Sequence, residues 1–470
     1  MVRRTYQVKE FDYLAPETAE KFYRGDKSHI CFVNDEDFSL LKEYLLTSVA
    51  DEGKQLFQTA KLAVHAKWGE VVQLKNYVGM IELSNGSRIE ILPKIYNKDA
   101  EINNPDQIKV LLLKMLSTLK DFPLVLDLGE ATLNLQNLSL YEIFIHIYLN
   151  RILELTKLGL RSDYTELEES LPSFRGRLKV TDQIRVNHSH AERFYVQHDE
   201  YTMSRPENRI IKTTLDKLIR VTEDQENKFL ARKLLNFFDE VPMSADFEID
   251  YRRINFDNSN IGYLGAIQWS MVFLRNKSFS IFGGESNGQS LLFPMDRIFE
   301  RYIASQINRL IRLHNETYGT KYRFVSQEAT KYLFDVPKAF KIKPDIKITG
   351  TDNIILDTKW KLLSEKKAHN NVSQGDMYQM YAYSKRYMAS QVFLLYPDCP
   401  FADSITQRSF QANDAILSTV VSLHFLNLQN IADFAGKNRS ASLVDENGLY
   451  SFLRLILKEN AGVEQTILMA

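Results

Sequence analysis

Between Pro344 and Lys359 the chain sets two carboxylates and an amine at a spacing that can do chemistry. Pro344-Asp345 opens a β-like run through Ile348, Gly350 to Asn353 reads as a turn, and Ile354-Ile-Leu-Asp-Thr-Lys359 begins a second apolar strand. Side chains alternate across a strand, so Asp357 and Lys359 share one face and Thr358 points away. If the two strands pair antiparallel, Asp345 and Asp357 converge on one point. Two carboxylates and a backbone carbonyl suit Mg²⁺, with Mn²⁺ as the substitute ion, since such cations take oxygen ligands and keep waters that a phosphate can displace. A lysine beside them can hold a scissile phosphate or the attacking water. The chemistry these residues fit is metal-assisted hydrolysis of a phosphodiester.

Two helices and a further strand must position them. Gly375 to Tyr387 has helical spacing and stacks Asp376, Gln379, Tyr383 and Arg386 or Tyr387 along one face. Upstream, Met295 to Ile303 is amphipathic, with Ile298, Phe299, Tyr302 and Ile303 toward a core and Glu300 at its edge. Gln391 to Leu395 reads as a closing strand. This order resembles the PD-(D/E)XK nuclease superfamily, and Gln379-x-x-x-Tyr383 resembles the extra motif of its RecB-like branch. Alone, an Asp-x-Lys is more often a solvated strand edge, and a Tyr-rich helix more often core packing. Their co-occurrence in order over about a hundred residues favours the nuclease reading.

Other segments resemble one family. Tyr77-Val-Gly-Met-Ile-Glu-Leu83, Ser84-Asn-Gly-Ser87 and Arg88-Ile-Glu-Ile-Leu-Pro-Lys94 look like the N-terminal signature of McrC-type subunits of modification-dependent McrBC restriction systems. Leu158-Gly-Leu160 with Tyr164, Phe174-Arg-Gly-Arg-Leu178, Asp199-Glu-Tyr201, Arg205-Pro-Glu-Asn-Arg-Ile-Ile-Lys212, Phe299-Glu300 and Asp376-x-Tyr-Gln-Met-x-Ala-Tyr383 continue the resemblance. It implies a Mg²⁺-dependent DNA endonuclease subunit for phage defence, cutting modified DNA when assembled with an AAA+ GTPase of McrB type that it also stimulates. By resemblance and geometry, Asp345 and Asp357 ligate the metal and Glu300 completes or orients the site. Lys359 would orient or activate the water and stabilise developing phosphate charge, and Gln379 and Tyr383 would position that lysine or the DNA backbone. Two rivals stand beside this reading: a non-catalytic activator of the motor, and a repair-type nuclease acting on DNA ends.

Bulk properties set bounds. The chain has 470 residues, 44% of them hydrophobic, and a net charge of −1, which argues against strong autonomous DNA binding. Lys338, Lys341 and Lys343 precede the Pro-Asp pair, and Lys359, Lys361, Lys366 and Lys367 follow it. Lys343, Lys361 and Arg386 are the candidate DNA contacts, because phosphate contacts supply most sequence-independent affinity. Only Cys31 and Cys399 occur, which supports neither a disulfide framework nor a zinc cluster. His188, His190 and His198 cluster without a Cys or carboxylate partner and read as exposed loop residues. No Walker sequence is present, so the chain is expected to bind no nucleotide itself. No segment approaches a membrane span, Ala415 to Leu428 being broken by polar residues, and the start lacks an apolar signal core. A cytoplasmic protein is expected.

The fold expected is a multidomain α/β protein: a β-rich and helical N-terminal half, then a mixed-sheet nuclease domain of PD-(D/E)XK type. Residues 1–104 look β-rich, with Asn85-Gly86 marking a hairpin that is a candidate for docking to the motor, or simply part of a sheet. Residues 105–262 look mainly helical, at 108–119, 140–158, 208–221 and 227–241, with a β insertion at 175–185 and 191–201. A polar, Asn-rich connection at 247–262 marks the boundary. The nuclease domain is placed at 263–435, entered through a Gly-rich loop at 282–288, with a tail of unknown role at 436–470.

Overall fold

The computed structural model describes residues 3–21, 27–52, 60–65, 69–95, 105–119, 138–257, 260–275, 278–279, 285–286, 289–350, 352–361, 363, 368–389, 391–400, 402, 409–413, 418–431 and 448–457. Most of the Gly-rich 282–288 loop, and Lys366 and Lys367, lie outside them. The described residues fall into two compact units, 3–119 with 285–457, and 138–279.

The first unit is built on three main sheets. In one, strands Thr5–Lys9, Arg88–Leu92, Tyr77–Glu82 and Gln289–Pro294 lie side by side in that order. The turn at Asn85-Gly86 forms as the sequence predicts. Gly86 takes a φ of 83°, and its N–H donates to the Leu83 carbonyl at 2.9 Å. The hairpin does not project: a strand pairs with each of its outer edges, and Arg88–Leu92 is buried throughout. It is part of a sheet, the second of the two readings. At Gly79, φ is 126° and a Cβ would sit 1.9 Å from the Leu291 carbonyl oxygen, so only glycine lets the two strands pair there. A four-stranded sheet (Ile30–Val33, Tyr13–Pro16, Gly69–Leu74, Ala60–His65) and helix Asp35–Glu52 share its core, around Leu14, Val33, Phe38, Leu41 and Val72.

The third sheet has the order Arg323–Ser326, Ile346–Thr349, Asn353–Thr358, Gln391–Pro397, Thr419–Leu426, Ser409–Ala412. Its first three strands are antiparallel, the middle three parallel, and the last pair antiparallel. Central strands that are covered on both faces read as unbroken apolar runs, which is why Ile354-Ile-Leu356 and Val392 to Leu395 look alike. Helix Gln374–Tyr387 makes the crossover between the parallel strands 353–358 and 391–397. It buries Met380, Tyr383 and Tyr387 against Ile355, Val392 and Leu394. Helix Met295–Tyr318 buries the expected Ile298, Phe299, Tyr302 and Ile303, and stops at Gly319 in the left-handed conformation. Of the tail expected at 436–470, helix Gly448–Ile456 is described. It packs Phe452 on the rings of His424 and Phe393, so it belongs to this fold.

The second unit contains helices Leu140–Lys157, Pro206–Val221, Gln225–Leu235 and Leu264–Arg275, with a three-stranded sheet of Asp163–Leu171, Phe194–Thr202 and Arg177–Leu178. Two readings need correction. The segment expected as strand at 175–185 leaves the sheet after Leu178 and continues as helix Val180–Val186. The Gln183 side chain holds that helix to the sheet by donating to the Arg193 carbonyl at 2.7 Å. The polar stretch 247–262 is not a boundary: it lies inside this unit. There Asp246 caps helix Phe247–Arg253, and buried Asp250 pairs with Arg209 at 2.5 Å. Polarity marked caps and an ion pair, not a linker. No described helix is long and apolar enough to cross a membrane.

Candidate active site

Strands Ile346–Thr349 and Asn353–Thr358 pair antiparallel with Ile346 opposite Leu356. One step further along that register sets Asp345 against Asp357, the convergence expected from the sequence. The Asp345 carboxylate is held from the neighbouring strand: the Thr358 N–H donates to its Oδ2 at 2.8 Å and the Thr358 hydroxyl at 2.7 Å. Lys359 extends the parallel ladder, its N–H donating to the Leu395 carbonyl at 2.8 Å. Its ammonium reaches back along the strand face to the Asp357 Oδ2 at 2.5 Å.

Helix Gln374–Tyr387 supplies the other side of the lysine. Lys359 donates to the Gln379 Oε1 at 3.2 Å, the Gln379 amide donates to the Tyr383 hydroxyl at 2.7 Å, and that hydroxyl donates to the Lys343 carbonyl at 2.8 Å. The Gln-x-x-x-Tyr spacing thus ties the lysine to the backbone that leads into Asp345. Asp376 joins them, 3.9 Å from Lys359 and 2.7 Å from Lys361. Glu300 arrives from helix Met295–Tyr318 through Gln327, whose side-chain amide donates to both Glu300 and the Asp345 Oδ1, the latter at 3.2 Å. Of the residues expected to touch DNA, Lys343 is exposed beside Asp345, Lys361 is paired with Asp376, and Arg386 is paired with Asp335 at 2.9 Å. His198 is buried 3.6 Å from Glu169, contrary to the reading of exposed loop histidines, while His188 and His190 are exposed.

The electrostatics are those of crowded negative charge. Burial and then the Asp345 charge push the Asp357 carboxyl up to about 7, against the pull of Lys359. Burial and Asp345 likewise raise Glu300 to about 7. Burial also raises Asp345, although the Thr358 hydrogen bonds oppose it. Burial works against the Lys359 charge, but Asp357, Asp376 and Asp345 outweigh it, so this lysine is held more firmly as an ammonium than usual. Among the described residues no three His, Cys, Asp or Glu side chains form a ready-made metal group. Two carboxylates on adjoining strands with water completing the shell still fit Mg²⁺, which binds through one or two carboxylates. A cation there would relieve the repulsion that raises these groups.

Residues 72–397 match the family model of the McrBC 5-methylcytosine restriction system component. The chain belongs to this family. Comparison with curated proteins gives no match. Among solved structures, the chain is similar to one in the refined half-complex from a tetradecameric assembly of Thermococcus gammatolerans McrB AAA+ hexamers with bound McrC. The TM-score is 0.66 at 18% identity, covering 96% of this chain and 100% of that one. A chain of the Thermococcus gammatolerans McrBC complex, seen by cryo-EM, gives a TM-score of 0.44 at 21% identity, covering 65% of this chain and 88% of that one. Within the family's matched span lie all the residues just described.

Sequence reasoning missed Gln327, whose backbone N–H also donates to the Asp345 carbonyl at 2.9 Å and whose φ is 56°. No spacing signal marks it. It missed Trp360 and Glu10 as well. The Trp360 indole packs on Phe299 and donates to the Glu10 Oε1 at 2.8 Å. Glu10 lies 350 residues away in the chain and is fully buried.

Proposed function

We propose that this chain is the DNA-cleaving subunit of a modification-dependent restriction system, hydrolysing phosphodiester bonds with Mg²⁺ while assembled with an AAA+ GTPase of McrB type. One observation carries the reading. Asp345 and Asp357 meet from two adjoining strands beside a lysine held as a cation, and Glu300 is joined to Asp345 through Gln327. Family membership and the McrB AAA+ hexamers in the similar solved structure support the partner. The sheet order, antiparallel then parallel with a crossover helix, supports a PD-(D/E)XK core.

Asp345 and Asp357 would hold the cation, with Glu300 adjoining. When bound, it would supply Lewis-acid stabilisation of phosphate charge and a more acidic water. Lys359 does the rest of the electrostatic work. As an ammonium it has no lone pair to take a proton, so it serves as a fixed positive charge for the phosphate and not as the base. Gln379 and Tyr383 aim that charge, and Thr358 fixes the Asp345 carboxylate. The test is plasmid cleavage by the chain assembled with its AAA+ partner, Mg²⁺ and GTP, on methylated and unmethylated DNA. Cutting of the methylated plasmid alone is expected. Stimulated GTP hydrolysis with intact plasmid at every Mg²⁺ concentration would leave only an activator, and cutting confined to linear DNA would point to a repair-type nuclease.

A further inference from the structure

The two-stranded hairpin Lys331–Asp335 and Lys338–Ile342 leads directly into Lys343, Pro344 and Asp345. It breaks the ordinary rule for surface hairpins. Val336 at its turn is 94% exposed, Phe340 72% and Phe334 54%, and the two Phe rings meet edge to face 5.9 Å apart. Lys331, Lys338 and Lys341 are exposed around them. The one acidic residue of the hairpin, Asp335, is taken up by Arg386 of helix Gln374–Tyr387. The base of the hairpin is pinned to the same helix, since the Tyr387 hydroxyl lies within hydrogen-bond range of the Glu328 and Ile342 carbonyls, at 3.0 and 3.4 Å. The result is an apolar tip ringed by amines on a stem fixed to the elements that hold Lys359 and Gln379.

Resting on the nuclease reading above, we infer that this hairpin is a DNA-engaging wedge: its lysines contact phosphates flanking the scissile bond, and Phe340, Phe334 and Val336 press into the groove or between base steps. Charge decides the occupant. A protein groove that took the aromatic tip would have to neutralise three amines with matched carboxylates, whereas a duplex offers a phosphate on either side of any groove. Minor-groove binders commonly combine such cations with an apolar wedge that unstacks a step and bends the duplex. The arrangement also gives an otherwise near-neutral chain a local means of holding its substrate at the cutting centre.

The test uses the full-length chain carrying Asp357→Asn, so that binding is read without cleavage. Fluorescence anisotropy follows a short labelled duplex at low salt as ionic strength is raised. With Lys331, Lys338 and Lys341 changed to Ala, the salt slope should fall by about 0.9 for each phosphate that is no longer neutralised. Phe340→Ala with Val336→Ser should leave that slope unchanged and weaken binding by roughly tenfold. Phe340→Tyr, which keeps the ring, should restore binding and so separates loss of the wedge from misfolding. Unchanged affinity and slope in both variants would overturn the inference while leaving the nuclease reading intact. So would unchanged DNA binding accompanied by lost stimulation of the AAA+ partner, which would make the hairpin a protein dock. A parent chain with no affinity for duplex at low salt would also overturn it. Failure of the nuclease reading shows elsewhere, as an uncut plasmid in the assembled wild-type complex.

Discussion

Three mutually repelling carboxylates and one ammonium set the chemistry of the candidate centre residue by residue. Asp345→Asn or Asp357→Asn should abolish detectable cleavage, and Lys359→Ala should slow it by roughly 10²–10³-fold, the usual loss when a preorganised charge is removed. All three variants should keep the wild-type circular dichroism spectrum and stimulation of the partner. The raised carboxyls give a pH signature. Glu300 and Asp357 titrate near 7 in the fold without metal, so cation binding must displace protons below that pH and needs to displace few above it. Mg²⁺ affinity should therefore climb as pH rises from about 6 to about 8. Calorimetry in buffers of different ionisation enthalpy should register proton release at the lower pH. An affinity flat across this range would contradict the shifts. These residues were legible because strand periodicity and a short turn fix which side chains meet. Gln327 was not, because its place depends on a backbone bend and on a helix that delivers Glu300 from another part of the chain.

Elements join the site to the rest of the first unit. Trp360 follows the candidate lysine, packs against the helix of Glu300, and donates to Glu10 beside the N-terminal strand Thr5–Lys9. Burial raises Glu10 to about 8, although the Lys94 N–H and the Trp360 indole both favour its charged form. A carboxyl raised in the fold binds its proton more tightly there than in the unfolded chain. Its contribution is complete below about 4.5 and is lost as pH rises through about 8. Glu10→Gln should keep the acceptor for Trp360 and flatten the pH dependence of thermal stability, leaving the variant the more stable protein above pH 8. A wild-type slope in that variant would reject the assignment. Gly79→Ala should cost roughly 3 kcal/mol or more in denaturant unfolding, since it strains the backbone and drives a Cβ into the Leu291 carbonyl. The Asn-Gly hairpin, the long amphipathic helices and the buried parallel strands were readable from local chemistry. The partner of Tyr77–Glu82 was not: strand Gln289–Pro294 arrives more than two hundred residues later, and no local pattern encodes that pairing.

For the whole molecule, chain order and spatial order differ. The first unit is completed by residues on both sides of the second, so a polar stretch that resembled a linker is interior structure. Cutting at 247–262 should therefore yield two unstable fragments instead of a docking half and a nuclease half. Limited proteolysis and unfolding of each piece would check this, and a C-terminal piece with a cooperative transition near that of the intact chain would refute it. The purified chain alone should hydrolyse neither GTP nor ATP, having no phosphate-cradling loop in its sequence, and turnover that survives repurification would disprove that. The most direct test of the central claim compares wild-type, Asp357→Asn and Lys359→Ala chains, each assembled with the McrB-type motor, on methylated plasmid with Mg²⁺ and GTP. Linearised plasmid is expected with the wild type, intact plasmid with Asp357→Asn and residual slow cutting with Lys359→Ala, all three stimulating GTP hydrolysis equally. Wild-type cutting by the Asp357→Asn assembly would mean that the scissile chemistry lies elsewhere.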